Sequence, residues 1–132
     1  MFNANTKILI IDDMATMRKI VSKTLKEFGF SDIQEATDGA MGWDLLSKSE
    51  KPFELIISDW NMPNLTGIEL LKKVRADNVY AKTPFILLTA ESESAQVAEA
   101  LKLGVSNYIV KPFSPDMLKQ KLVATHSKSK TT

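Results

Sequence analysis

The stretch Lys7-Ile8-Leu9-Ile10-Ile11-Asp12-Asp13 decides the fold. Four consecutive large apolar residues, mostly β-branched, read as a strand buried on both faces, because a strand with one wet face would alternate apolar and polar. Two aspartates end it abruptly. Met17, Ile20, Val21, Thr24, Leu25 and Phe28 then recur at helical spacing and predict one core-facing stripe, closed by Gly29. The unit returns along the chain. Residues 33–36 are a weaker strand, Asp38-Gly39 a turn and 41–47 a helix, broken by Lys51-Pro52. Residues 55–58 are a second buried strand ended by Asp59, followed by the loop Asn61-Met62-Pro63-Asn64-Leu65-Thr66-Gly67 and a helix over 68–76 with Leu70, Leu71 and Val74 inward. A strand over 85–88 ends at Thr89, and a helix over 94–103 stops at Gly104. A strand over 107–110 ends at Lys111-Pro112, and Ser114-Pro115 open a last helix to about Ala124. Five strand–helix units of this length imply right-handed crossovers and a parallel sheet with helices on both faces.

Composition agrees with one such domain. The chain has 132 residues, of which 44% are hydrophobic and 25% charged, enough to build a single core and too apolar for disorder. It has no cysteine, which excludes disulfide staples and thiolate metal sites. The single histidine, His126, lies in the Ser/Lys/Thr-rich end, so a histidine base or a multi-histidine metal site is not expected. A net charge of +1 gives no reason to expect nucleic acid or an anionic membrane as partner. With no leader-like start and only short apolar runs, the expectation is a soluble cytoplasmic domain over residues 1–125 with a flexible basic tail at 126–132.

The polar residues that stand out all sit where a strand stops: Asp12 and Asp13, Asp59, Thr89 and Lys111. In an open parallel sheet, ligands bind beyond the carboxyl ends of the strands. If the first and third strands are neighbours, three carboxylates converge there. They raise one another's pKa unless a cation joins them. A hard dication such as Mg²⁺ suits all-oxygen ligands, and it commonly pairs one or two carboxylates with a phosphate. A carboxylate can also be the nucleophile that takes a phosphoryl group, while a lysine and a hydroxyl neutralise its oxygens.

Four motifs in order, each at a strand end, carry a resemblance: Ile10-Ile11-Asp12-Asp13, Ile56-Ile57-Ser58-Asp59-Trp60-Asn61-Met62-Pro63 followed by Gly67, Leu87-Leu88-Thr89-Ala90, and Tyr108-Ile109-Val110-Lys111-Pro112-Phe113. Over about residues 6–124 the chain resembles the receiver domain of two-component response regulators, and among them the single-domain chemotaxis regulators. The resemblance implies a doubly wound, flavodoxin-like sheet in the order 2-1-3-4-5 with five helices. It implies Asp59 as phospho-acceptor and Asp12, Asp13, Asp59 and the Asn61 backbone carbonyl around Mg²⁺. Thr89, Ala90 and Lys111 would border the phosphoryl group, Thr89 and Tyr108 would form the switch pair, and the Lys111-Pro112 bond would be cis. Asn61 and Glu91 would set the rate of self-dephosphorylation, which is expected to be fast. The partners implied are a histidine kinase as phosphodonor, the flagellar motor switch and a phosphatase, with the protein a monomer. Met14-Ala15 depart from the family's commoner serine or phenylalanine, and Met14 could narrow the mouth of the site.

Each feature alone has a plainer reading. An acidic pair is usually a helix N-terminus, Thr89-Ala90 a cap, Lys111-Pro112 a loop, and a strand tyrosine such as Tyr108 a core residue. Trp60 could simply cover the edge of the pocket, and Trp43 and the methionines are read as packing. Gly67 and Gly104 read as turn and helix-stop glycines, since no G-x-G-x-x-G or Walker A pattern occurs. Lys119, Lys121, Lys128 and Lys130 read as a solvated basic end. Two rival functions remain: a phosphorelay intermediate or phosphate sink with no motor role, and a Mg²⁺ phosphatase or flavin carrier on a similar sheet. The phosphatases pair their aspartates two residues apart after the first strand; here those acids are adjacent and the inferred nucleophile lies on the third strand.

Overall fold

The computed structural model describes residues 4–89, 94–111 and 113–130. Five strands alternate with five helices: β1 (Ile8–Ile11), α1 (Ala15–Glu27), β2 (Ile33–Ala36), α2 (Gly39–Lys48), β3 (Leu55–Asp59), α3 (Gly67–Ala76), β4 (Phe85–Thr89), α4 (Ser94–Lys102), β5 (Asn107–Val110) and α5 (Pro115–Lys130). All pairings are parallel and the sheet order is β2-β1-β3-β4-β5. The expected fold and strand order are both present.

The strand sequences explain the order. Every residue of β1, β3 and β4 is buried, as befits strands covered on both faces. β2 at one edge exposes Gln34 and Glu35, and β5 at the other is only half-buried at Tyr108 and Val110. Alternate side chains divide between two cores. Leu9, Ile11, Ile56 and Leu87 meet Leu46 of α2, Leu70, Leu71 and Val74 of α3 and Ala100 of α4. Ile8, Ile10, Ile57, Ile86 and Leu88 meet Val21 and Leu25 of α1 and Leu118 and Leu122 of α5. Fully burying one such side chain contributes roughly 1.5–3 kcal/mol, so the sheet is fixed before any polar residue is considered.

Two readings of the sequence need correction. Ile20 was placed on the core stripe of α1 but is 45% exposed. It lies one residue, about 100°, round from Val21, and the buried stripe centres on Val21 and Leu25 instead. The last helix does not stop near Ala124; α5 continues to Lys130. Residues 125–130 hold neither glycine nor proline, and the Thr125 hydroxyl donates to the Lys121 carbonyl at 2.6 Å, so nothing ends the helix there.

Candidate functional site

Because β1, β3, β4 and β5 are successive neighbours, their carboxyl ends set Asp12, Asp59, Thr89 and Lys111 side by side. Asp12 lies just beyond β1 and is 0% exposed; Asp59 and Thr89 are the buried last residues of β3 and β4. Lys111, just past β5, reaches back over the sheet ends. Its Nζ donates to Asp59 Oδ1 at 2.9 Å and to Asp12 Oδ2 at 3.3 Å. Its own N–H donates to the Thr89 carbonyl at 2.7 Å, which fixes where the side chain starts.

The remaining oxygens of Asp12 are held by the start of α1. The Met14 N–H donates to Oδ1 at 2.9 Å, and Arg18 Nη1, one turn on, donates to the Asp12 carbonyl at 2.7 Å. Met14 occupies the N-cap of α1 with its side chain 56% exposed. Asp59 Oδ1 also accepts from the Trp60 N–H at 2.9 Å. That same N–H donates to the Leu88 carbonyl at 2.9 Å, pinning the carboxyl end of β3 to β4.

One oxygen each of Asp12, Asp13 and Asp59 lie within 4.8 Å of one another, with Asp13 exposed and the other two buried. Burial, with the Asp12 charge added, pushes the Asp59 carboxyl above its ordinary value despite the Lys111 bond. Burial works to lower Lys111, but the Asp59 and Asp12 carboxylates outweigh it and hold the ammonium above its ordinary value. Three carboxylates against one ammonium leave the cluster short of two positive charges. An all-oxygen donor set with that deficit fits a hard dication, and Mg²⁺ suits it. No other group of three or more such residues occurs among the described residues.

The other expected residues divide. Asn61 stands exposed in the loop after β3. Tyr108 is half-buried on β5, paired with Leu87 and packed against the core beneath α2, α3 and α4. Thr89 is two residues beyond Leu87 and so shares that face of the sheet with Tyr108. Lys121 Nζ lies 4.8 Å over the Tyr108 ring. Ala90, Glu91 and Pro112 lie outside the described residues. The sequence reading also overlooked two supports. Arg18 gave a faint signal as a cation one turn after the acidic pair. Gly67 was read as a turn glycine, but its missing Cβ is what matters: one would overlap the Asp59 carbonyl oxygen and touch Trp60 Cα at 3.0 Å.

A parallel sheet in this order, with acids at the ends of β1 and β3 and a lysine after β5, defines a receiver domain. The family model described as "Response regulator receiver domain" matches residues 8–123, and the chain belongs to that family. Within it, the chain is CheY-like. It is 51% identical over 116 residues to a chemotaxis protein CheY homolog of Campylobacter jejuni, 88% of each chain. It is 47% identical to chemotaxis protein CheY1 of Helicobacter pylori, over 88% of this chain and 93% of that one. The solved structure of chemotaxis response regulator CheY4 of Vibrio cholerae superposes with a TM-score of 0.84 at 36% identity, covering 92% of this chain and 98% of that one. Among the described residues, no helix is long and apolar enough to cross a membrane.

Proposed function

We propose that this chain is a cytoplasmic response regulator, phosphorylated on Asp59 by a histidine kinase in a Mg²⁺-dependent reaction. The observation that carries this is the buried Asp59 carboxylate, hydrogen-bonded to Lys111 beside Asp12 and Asp13. An Asp59 oxygen attacks phosphorus as the bond from phosphorus to the donor imidazole breaks; the imidazole keeps the electron pair and takes up a proton. Asp12, Asp13, Asp59 and the Asn61 backbone carbonyl would hold Mg²⁺, which when bound supplies positive charge to the phosphoryl oxygens. Lys111 orients Asp59 beforehand and afterwards donates to the phosphoryl group. Thr89 borders it, its hydroxyl turning towards the phosphoryl group and the Tyr108 ring following inward. The acyl phosphate is short-lived through self-dephosphorylation, with Asn61 a residue that sets its rate.

The output is phosphorylation-dependent binding through the face of α4, β5 and α5, in a monomer. The names of the chemotaxis relatives support a chemotactic output, and the partner in this reading is the flagellar motor switch. A peptide from the motor switch, titrated with and without acetyl phosphate and Mg²⁺, tests the output. Tighter binding with the donor, lost in Asp59→Asn, is expected. Binding that ignores phosphorylation, with the phosphoryl group passing instead to a second histidine protein, would favour a relay or sink.

A further inference from the structure

The loop between β3 and α3 carries Asn61, two residues after Asp59, without a strand or helix of its own. Contacts from outside must fix it. At its far end the Gly67 N–H donates to the Trp60 carbonyl at 2.9 Å, closing the loop on its start. Near its middle the loop lies on the first turn of α2, where a Cβ on Gly39 would overlap the Leu65 carbonyl oxygen.

Just before Leu65 stands Asn64, the one non-glycine residue with positive φ among those described, at 68°. The Leu65 N–H donates to the Pro63 carbonyl at 2.7 Å, so Asn64 is the centre of a three-residue turn of the strained, left-handed kind. Its side chain is anchored. Asn64 Nδ2 donates to Asp38 Oδ2 at 2.8 Å, while Asp38 Oδ1 accepts from the Met41 N–H at 2.8 Å. One oxygen caps α2; the other holds the loop. The Met41 N–H first, and then the Asn64 amide, keep the Asp38 carboxyl below its ordinary value, so both oxygens accept at neutral pH.

We infer that the Asp38–Asn64 hydrogen bond is a positioning strut for the phosphoryl site: it fixes the 60–66 loop against α2 and thereby tunes Mg²⁺ affinity from outside the carboxylate cluster. The inference rests on the function proposed above.

Two variants remove the strut without removing what surrounds it. Asn64→Gly keeps the left-handed turn and loses only the amide. Asp38→Ser keeps an N-cap oxygen for α2 but is too short to reach Asn64. Mg²⁺ alone is titrated into the full chain and followed by Trp60 emission in a Trp43→Phe background, with circular dichroism confirming that each variant is folded. Each single variant should weaken Mg²⁺ affinity about tenfold, the low end for residues that orient metal ligands. The double variant should be no weaker than either single, since both cut one bond. At saturating Mg²⁺, phosphorylation by acetyl phosphate should return to the parent rate, which a general loss of structure would not allow. Parent-like affinity in both singles, an additive double, or a rate that stays low at saturation overturns the strut alone. A parent protein whose emission ignores Mg²⁺ overturns the proposed function and the strut with it.

Discussion

At the scale of single residues, Asp59 is a group held against its own preference. Its folded pKa is raised, chiefly by burial. A proton on such a carboxyl adds stability in full below the unfolded pKa, and that stability is lost as pH rises through the raised folded value. At neutral pH the ionised carboxylate therefore weighs against folding. Asp59→Asn should raise the urea-unfolding stability of the metal-free protein at pH 7 by about 1 kcal/mol, the low end of what relieving a buried charge yields. The gap from the parent should close as pH falls to about 4. Lys111 does not confuse this window: its raised pKa gives stability that is complete below the ordinary lysine value and lost only at more alkaline pH. An Asp59→Asn variant less stable than the parent at pH 7 would mean that the Lys111 bond outweighs burial. Lys111→Met, by contrast, leaves Asp12 and Asp59 without their cation. It should destabilise the metal-free fold by about 1–3 kcal/mol in urea while tightening Mg²⁺ severalfold, because a competing charge is gone.

At the scale of elements, the sequence showed what periodicity and strand ends encode and hid what three-dimensional closeness encodes. The cores of β1, β3 and β4, and the acids and lysine at the strand ends, were legible, because burial on both faces demands nearly unbroken apolar runs. Ile20 misled because an apolar residue at helical spacing need not face the core. The end of α5 misled because composition, rather than a stop signal, marked it. The Asp38–Asn64 bond spans 26 positions, and Gly67's role depends on a carbonyl eight residues earlier. The same holds for Arg75 of α3, which donates to the carbonyls of Gly104, Tyr80 and Thr83 and ties the far end of the sheet together. No local pattern announces such contacts. Gly67→Ala tests one of them. The added methyl must displace the backbone of Asp59 or Trp60, so the variant should lose about 1–3 kcal/mol of stability. A change within about 0.5 kcal/mol, the range of an ordinary surface substitution, would show that the approach is looser than it stands.

At the scale of the whole molecule, the two cores hold the sheet, and the acidic crevice at its carboxyl end is costly to fold. Mg²⁺ should therefore stabilise the entire fold by linkage, by about 2.7 kcal/mol at a hundredfold excess over its dissociation constant, and should do so far less in Asp59→Asn. Thermal unfolding with and without Mg²⁺ reads this directly.

The central claim is that Asp59 accepts a phosphoryl group with Mg²⁺ in place. Its most direct test follows Trp60 emission in the Trp43→Phe background as Mg²⁺ and then acetyl phosphate are added, with intact mass read in parallel. With Asp59 as the acceptor, the emission change needs Mg²⁺, the mass shows one added phosphoryl group, both reverse as the donor is spent, and both are lost in Asp59→Asn. A folded protein that gains no phosphoryl group, or one that Asp59→Asn still gains, would contradict it.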